Sequence, residues 1–356
     1  MSATPPRPGG RAARVTLAQV AGRAGVSVGA VSQVLNDHPS ARISPQVRAR
    51  ILSAVEDLGY RPNLVARSLR TARTDTYGFV SDSVTITRHA SGILRGALSA
   101  AREAGGLLLI AETAGDRRLE QDAVQSLLDR GVDGLVVAAM KSRGPLPHLV
   151  PPGLRTVNVN VASDGQTAAV LPDELDGGRT AVGVLADAGH LELAVVGSGL
   201  ADVGADVSYT ARRRLAGIAA ATKERGIRVV AELPCDDWEV EAGHAAVRAL
   251  LGRTRPTALL CLNDRLAVGA YHALAEAGLQ VPDDVSVVSF DDDEIAATLR
   301  PGLTTIAIPH EEMGRLAVGL MVATAPPPAG DVLVPMALYE RASVGPPHRA
   351  PAYLGP

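Results

Sequence analysis

The sequence predicts a small all-α head with a helix-turn-helix motif, followed by an α/β body of two doubly wound parallel-sheet lobes. Three observations support this fold class. The first 74 residues show helical patterns only, the remainder alternates short apolar runs with amphipathic helical patterns, and the two parts carry opposite charge. A chain of 356 residues is long enough for two or three domains.

The charge of the chain is divided between its two parts. Residues 1–74 contain eleven arginines, no lysine and three acidic residues, a formal charge of +8, which leaves −11 for the remainder of a chain whose net charge is −3. A basic end on an acidic body indicates contact with a polyanion such as nucleic acid. The alternative is a solubilising arginine-rich tail, but only Arg7, Arg11 and Arg14 precede the first predicted helix.

The composition predicts a cytoplasmic protein without a metal or a cofactor. The two cysteines, Cys235 and Cys261, lack a CxxC spacing, so we expect buried thiols instead of a disulfide or a zinc site. Residues 1–14 are rich in Pro, Gly and Arg, which predicts a disordered tail and argues against a signal peptide. No apolar run of about 18 residues is present, so no membrane span is expected.

Three short helices are predicted in the head. In "VTLAQVAGRAGVSVGAVSQVLN" (15–36), Thr16 and Ser27 can cap two helices, and Gly25 suits the turn between them. A third helix follows Ser44 in "SPQVRARILSAVEDLGY", which has proline at its first position. Two helices joined by a turn that contains glycine predict a helix-turn-helix motif, although any small helical bundle would give a similar pattern.

A short basic helix is predicted in "YRPNLVARSLRTART" (60–74). It is too short to be stable alone in water, so it would order on a partner, where Arg67, Arg70 and Arg73 would meet phosphates. Leu69 would then suit insertion between base pairs from the minor groove. The alternative is an ordinary linker whose leucine packs on the body.

Residues 15–74 resemble the DNA-binding head and hinge of the lactose-repressor (LacI/GalR) family, and the resemblance continues to about residue 323. It implies a homodimer on a pseudo-palindromic double-stranded operator, with hinge helices that fold on the DNA. The residues that we expect to contact DNA are Thr16, Ser27, Val28, Gly29, Ala30, Ser32, Gln33, Asn36, Asn63, Ala66, Arg67, Leu69 and Arg70.

Positions 28, 29 and 33 match the residues that read bases in this family. Many members carry arginine where this chain has Gln33, and arginine favours guanine. A glutamine amide can instead pair with N6 and N7 of adenine, while Val28 can contact the methyl group of thymine. Gly29 allows only close approach. These residues predict an operator half-site with an A·T pair opposite Gln33.

After residue 75, strand and helix patterns alternate in two series, from "TYGFVSD" to "DGLVVAAM" and from "LELAVVGSG" to "VSVVSFDDD". Such alternation predicts parallel sheets that helices cover on both faces. Ligands of open α/β sheets bind outside the carboxyl ends of the strands. The polar residues at those ends are therefore candidates for a ligand site: Asp82, Asn263, Asp264, Asp291 and Asp292.

"CLNDRLAVGAYHALAEAGLQVPDDVSVVSFDDDEIA" and "LRPGLTTIAIPHEEMGRLAVGLM" also resemble the LacI/GalR family, which implies a periplasmic-binding-protein-like body with a small-molecule effector, sugar-like, in a cleft between the lobes. The effector residues implied are Arg214, Trp238, Asn263 and Asp291, together with Asp173 or Asp176 from the segment that crosses between the lobes; the strand-end position adds Asp82. Taken alone, Trp238 would be read as core and Asp291 as a helix cap. "SDSVTITRHAS" replaces an aromatic turn of many members, which makes a smaller or non-sugar ligand an open alternative.

Two other functional classes deserve comparison, an α/β enzyme and a solute-binding protein. The sequence has no GxxxxGK[ST], GxSxG or HExxH motif, and the basic head argues against a solute-binding protein. We expect a regulator, more specifically a repressor, whose dimer contacts come from the small-residue-rich helices 91–105 and 265–277. The expected boundaries are a tail at 1–14, the head at 15–60, a hinge at 61–74, the body at 75–340 and a Pro-rich tail at 341–356.

Overall fold

A computed structural model describes residues 15–35, 43–61, 68, 71–83, 88–144, 150–151, 153–199 and 209–347. The chain divides into two compact units, Met1–Thr74 and Asp75–Pro356. The predicted fold class is confirmed: helices form the described part of the first unit, and two six-stranded sheets form the second.

The head contains the three predicted helices. They are α1 (Leu17–Ala24), α2 (Val28–Leu35) and α3 (Pro45–Leu58). Val20, Val31 and Ile51, one from each helix, are fully buried and form a shared core. Gly25 ends α1 with a φ of 65°, a left-handed conformation that glycine adopts without steric cost, and so permits the tight turn into α2.

The first lobe of the body is a parallel sheet with the strand order β11-β5-β4-β3-β1-β2. Its elements are β1 (Thr76–Ser81), α4 (Arg88–Glu103), β2 (Leu107–Glu112), α5 (Arg117–Asp129), β3 (Gly134–Arg143), β4 (Arg155–Val161), β5 (Ala168–Pro172), α11 (His310–Val322) and β11 (Gly330–Val334). Helices α4 and α11 cover one face of the sheet, and α5 packs on the other face.

The second lobe has the strand order β12-β10-β9-β8-β6-β7, in which only β12 is antiparallel to its neighbour. Its elements are α6 (Glu174–Asp187), β6 (Glu192–Val196), α7 (Tyr209–Arg225), β7 (Arg228–Leu233), α8 (Val240–Leu251), β8 (Ala258–Cys261), α9 (Asp264–Glu276), β9 (Ser286–Asp291), α10 (Glu294–Thr298), β10 (Thr304–Ala307) and β12 (Ala337–Tyr339). Both predicted series of strands and helices are therefore present.

The two lobes are interleaved along the chain, which the sequence pattern did not predict. The chain passes to the second lobe after β5, returns to the first lobe to form α11 and β11, and crosses again to form β12. Met313, Ala317 and Met321 of α11 belong to the core of the first lobe. Three chain segments therefore connect the lobes, and the first lobe is completed only by the C-terminal part of the chain.

Glycines bring helices of the body into backbone contact. A Cβ atom on Gly314 of α11 would lie 2.8 Å from the carbonyl carbon of Ile93 in α4, and Gly96 of α4 meets α11 in the same way. Gly269 of α9 approaches the backbone of His244 in α8, again closer than a Cβ atom would allow. Gly96 and Gly269 thus pack within one chain, and the dimer contacts expected from helices 91–105 and 265–277 stay a prediction.

The segment after β12 packs against the second lobe. Ser343 is fully buried, and its hydroxyl donates to the carbonyl oxygen of Val287 at 2.5 Å. The amide of Gly345 donates to Ser286 Oγ at 3.0 Å, while Ser286 Oγ and His190 Nε2 both contact the carbonyl oxygen of Gly345. Residues 341–345, expected at the start of a tail, therefore form part of the body. Among helices of the described ranges, none is long and apolar enough to cross a membrane.

Candidate DNA-binding and effector-binding sites

Helix α2 presents three of the predicted base-reading residues to solvent. Val28 is 47% exposed, and Gly29 and Gln33 are also exposed, whereas Val31 and Val34 of the same helix are buried. The head therefore holds α2 by one face and leaves the face with Val28, Gly29 and Gln33 open for contact.

Two further predicted DNA-contacting residues also act as helix caps. The Thr16 hydroxyl accepts from the amide of Gln19 at 3.4 Å, and Gln19 Oε1 accepts from the amide of Thr16 at 2.8 Å, which is a capping box. Ser27 Oγ accepts from the amide of Ala30 at 3.2 Å. These caps fix where α1 and α2 begin. Ser32 and Ala30 lie half-buried on α2.

The remaining predicted DNA contacts lie outside the described residues. They are Asn36, Asn63, Ala66, Arg67, Leu69 and Arg70.

The carboxyl ends of the second-lobe strands bring several predicted effector residues together. Asn263 follows β8, and Asp291 ends β9, the strand next to β8 in the sheet. Asp291 has a φ of 107° and Asp292 a φ of 52°, values that non-glycine residues rarely adopt. Such backbone strain concentrates at functional sites, where the surrounding structure maintains it. The geometry thus marks this edge of the sheet as a candidate ligand site.

Asn263 and Trp238 are joined to the surrounding backbone. Asn263 Oδ1 caps α9 by accepting from the amide of Leu266 at 2.9 Å, and its Nδ2 donates to the carbonyl oxygen of Trp238 at 3.0 Å. The indole Nε1 of Trp238 donates to the carbonyl oxygen of Gly197 at 3.0 Å, and the ring is half-buried against the lobe core. Both side chains therefore have fixed positions at the strand ends.

Arg214 on α7 is buried in an ion pair that the sequence did not indicate. Its Nε and Nη2 donate to Oε2 and Oε1 of Glu174 at 2.6 and 2.7 Å, and Nη1 donates to the carbonyl oxygen of Leu262. Arg214 is 2% exposed and Glu174 is 1% exposed. The guanidinium carbon also lies 4.1 Å from the centroid of the Phe290 ring. The predicted effector contact of Arg214 would have to use the two N–H groups that these partners leave.

Two more carboxylates lie close to Arg214. Asp264 accepts hydrogen bonds from the Ser289 and Thr305 hydroxyls and from the amide of Asp293, and burial raises its pKa to about 6. Burial also raises the pKa of Asp291 well above its ordinary value; Asp264 adds to this rise and Arg214 opposes it. Asp291 forms no hydrogen bond within the described residues, so its carboxyl group can accept or donate to a ligand.

Burial alone would lower the pKa of Arg214, but the nearby carboxylates outweigh this effect and raise it. Among the carboxylates, Glu174 contributes most to the rise in the pKa of Arg214, followed by Asp291 and Asp264. We call these three carboxylates the acidic cluster. The sequence analysis missed Glu174 and Phe290 as neighbours of Arg214. No pattern in the sequence links them, and Glu174 lies 40 residues before Arg214.

Two of the other three predicted effector residues stabilise local structure. Asp82 Oδ1 accepts from the amide of Met140 at 2.9 Å and so ties the end of β1 to β3. Asp173 caps α6 by accepting from the amide of Asp176 at 3.3 Å, and Asp176 itself is exposed. The two lobes meet where Tyr209 Oη at the start of α7 donates to Asp331 of β11 at 3.1 Å.

Two cavities in the body lie elsewhere. One of about 460 Å³ in the first lobe is lined by residues that include Val137, Thr156 and Asn158. The other, of about 520 Å³, lies beside α6 and β12. Neither is lined by any of the seven predicted effector residues. Across the described ranges, no group of three or more His, Cys, Asp or Glu side chains could hold a metal ion.

Comparisons with known proteins agree with both parts of the fold. The family model described as "Bacterial regulatory proteins, lacI family" matches residues 16–63, and a "Periplasmic binding protein-like domain" matches residues 182–344. The ribose operon repressor of Escherichia coli (strain K12) is 34% identical over 312 residues, which cover 86% of this chain and 92% of the repressor.

Solved structures show the same relationship. A lac repressor dimer bound to operator and the anti-inducer ONPF superposes with a TM-score of 0.74 at 28% identity, covering 94% of this chain and 100% of that one. A complex of the transcriptional regulator CelR with cellobiose gives a TM-score of 0.62 at 28% identity, covering 93% and 100%. The chain therefore belongs to the lacI family of bacterial regulatory proteins.

Proposed function

We propose that the protein is a cytoplasmic transcriptional repressor that binds a pseudo-palindromic double-stranded operator as a homodimer and responds to a small, sugar-like effector. Its relatives are named as a ribose operon repressor and as lac repressor bound to operator. The observation that carries the proposal is the exposed face of α2, where Val28, Gly29 and Gln33 face away from the core of the head.

The chemistry of that face supports base reading in a major groove. An α-helix fits the major groove, where each base pair presents a distinct pattern of donors and acceptors. Gln33 can donate to N7 and accept from N6 of adenine, and a good bidentate pair discriminates against the wrong base by about 1–3 kcal/mol. Val28 offers methyl groups to thymine. The absent side chain of Gly29 lets the backbone of α2 approach the bases.

The strand-end site supports the effector role. Asp291 carries a carboxyl group without a hydrogen-bond partner among the described residues, beside the amide of Asn263 and the half-buried indole of Trp238. Carboxyl and amide groups can bind hydroxyls, and an indole face can cover the C–H surface of a sugar ring. An effector that binds the two relative positions of the lobes with different affinity would shift the population between them. The Tyr209–Asp331 contact between the lobes is one that such a movement would change.

The decisive test is selection of randomised double-stranded half-sites by the full chain, followed by affinity measurements over a range of salt concentrations. We expect salt-sensitive binding with adenine preferred opposite Gln33, and loss of that preference in Gln33→Ala. Gln46→Ala, which removes an exposed glutamine from α3, is the matched control and should keep the preference. Absence of any salt-sensitive binding to duplex DNA would refute the proposal and favour an enzyme or a solute-binding protein.

A further inference from the structure

Three N–H groups of the Arg214 guanidinium already have partners inside the protein. One N–H of each of its three nitrogens is directed at a partner, two at the Glu174 carboxylate and one at the Leu262 carbonyl oxygen. Both members of the ion pair are almost fully buried. A bidentate contact of this kind is the geometry in which arginine would otherwise recognise a carboxylate or a phosphate ester. Glu174 therefore occupies the place that an anionic ligand would take.

The charge around Arg214 also disfavours an anion. Three carboxylates of the acidic cluster surround one guanidinium. Asp264 is held by hydrogen bonds from Ser289 and Thr305, so it cannot turn away from an incoming charge. An anion that entered the site would lose its hydration, and the Glu174 carboxylate has already neutralised the charge of Arg214 that would offset this cost. A neutral hydroxylated molecule does not meet this cost and can bind to Asp291.

We propose that Glu174 is a specificity-determining residue of the effector site, which restricts the ligand to uncharged, hydroxyl-rich molecules because it neutralises Arg214 internally. This inference rests on the proposed effector site but not on DNA binding. The competing explanation is that Glu174 only joins α6 to α7. A purely structural ion pair would affect stability when removed, yet would leave the charge preference of the site unchanged.

The sole tryptophan provides a local signal for the test. Arg214 Cζ lies 5.7 Å from the centroid of the Trp238 ring, so an anion at Arg214 changes the surroundings of the fluorophore. Inorganic phosphate is the probe, titrated at constant ionic strength into the full-length wild type, Glu174→Gln and Glu174→Gln/Arg214→Met. The Arg214→Met change in the double variant separates phosphate bound at Arg214 from phosphate bound elsewhere in the chain.

We expect no saturable change in the wild type and a saturable change in Glu174→Gln, with affinity for phosphate raised at least roughly tenfold and lost in the double variant. The matched control is Glu224→Gln. Glu224 binds Arg179 through both oxygens and joins the same two helices at an exposed position, so its removal should not create a Trp238 response.

A folded Glu174→Gln variant without a phosphate response would overturn the proposal. So would a saturable phosphate response in the wild type. If Glu174→Gln does not fold, the wild type alone tests the proposal. A change in Trp238 fluorescence with D-ribose but not with phosphate supports it, and a saturable change with phosphate contradicts it. Failure of the chain to bind duplex DNA would refute the proposed function while this titration still tested Glu174.

Discussion

The contact between α4 and α11 allows a quantitative prediction for Gly314→Ala. A Cβ atom at residue 314 would lie inside van der Waals contact of the Ile93 carbonyl oxygen, 2.8 Å from its carbonyl carbon and 3.0 Å from the amide nitrogen of Ala97. Ordinary contacts begin at 3.4 Å, so the carbonyl carbon alone requires a separation of about 0.6 Å, and the carbonyl oxygen, which lies closer still, requires more. A gap of 0.5–1 Å already removes roughly a quarter to a half of the dispersion attraction between facing atoms.

Overpacking of this kind costs about 1–3 kcal/mol, although alanine favours the helical backbone by up to about 1 kcal/mol over glycine. We expect differential scanning calorimetry to show the body of Gly314→Ala unfolding about 2–6 °C below the wild type. Gly319→Ala, on the same helix, is the control. A Cβ atom there has no described atom within 4 Å, so this variant should be slightly more stable than the wild type. Equal melting temperatures for the two variants would refute the reasoning.

Three further predictions concern the head and both lobes of the body. Gly29→Ala should stabilise the head by up to about 1 kcal/mol, because a Cβ atom there meets only an oxygen at 3.9 Å, and half-site selection should show an altered base preference. Gly22→Ala on α1 should give the same gain in stability with an unchanged base preference. Arg155→Met should cost about 1–3 kcal/mol in urea unfolding, because this side chain donates to four backbone carbonyl groups in the last turn of α11 and just after it. Arg228→Met breaks an exposed ion pair and should cost less than about 1 kcal/mol, so comparable losses would contradict this. Burial lowers the pKa of His190, so the unfolded chain takes up a proton at higher pH than the folded chain, and the free energy of unfolding should fall as the pH drops below 6.5. In His190→Gln the free energy of unfolding should depend less on pH, and an unchanged dependence would exclude His190 as the cause.

The alternation of strands and helices was readable in the sequence because each element has its own apolar period. The lobe to which a segment belongs was not readable, since α11 and β11 have the same local pattern whichever sheet they join. The stripe of small residues that includes Gly96 and Gly269 was likewise ambiguous. Small side chains permit close approach to any partner, and the structure shows that Gly96 and Gly269 meet helices of the same chain, while the dimer contacts expected from these helices stay a prediction.

The candidate site was predicted in part. Asp291 and Asn263 were found because strand ends can be located from the apolar runs that precede them. Glu174 was missed because its partner Arg214 is distant in the sequence, and a single glutamate at a helix start has no distinctive pattern. The effector roles and DNA contacts of individual residues stay predictions, including those of Asn63 and Leu69, which lie outside the described residues.

The interleaved path of the chain determines the order in which the lobes can fold during synthesis. Five of the six strands of the second lobe have left the ribosome once Ala307 has emerged, whereas the first lobe still lacks the helix over its core and one edge strand. The first lobe, although it begins first, is thus still incomplete when most of the second lobe has emerged, which departs from simple N-terminal-first folding. A premature stop codon after residue 307 would spare most of the second lobe and expose the apolar face of the first to proteases and chaperones.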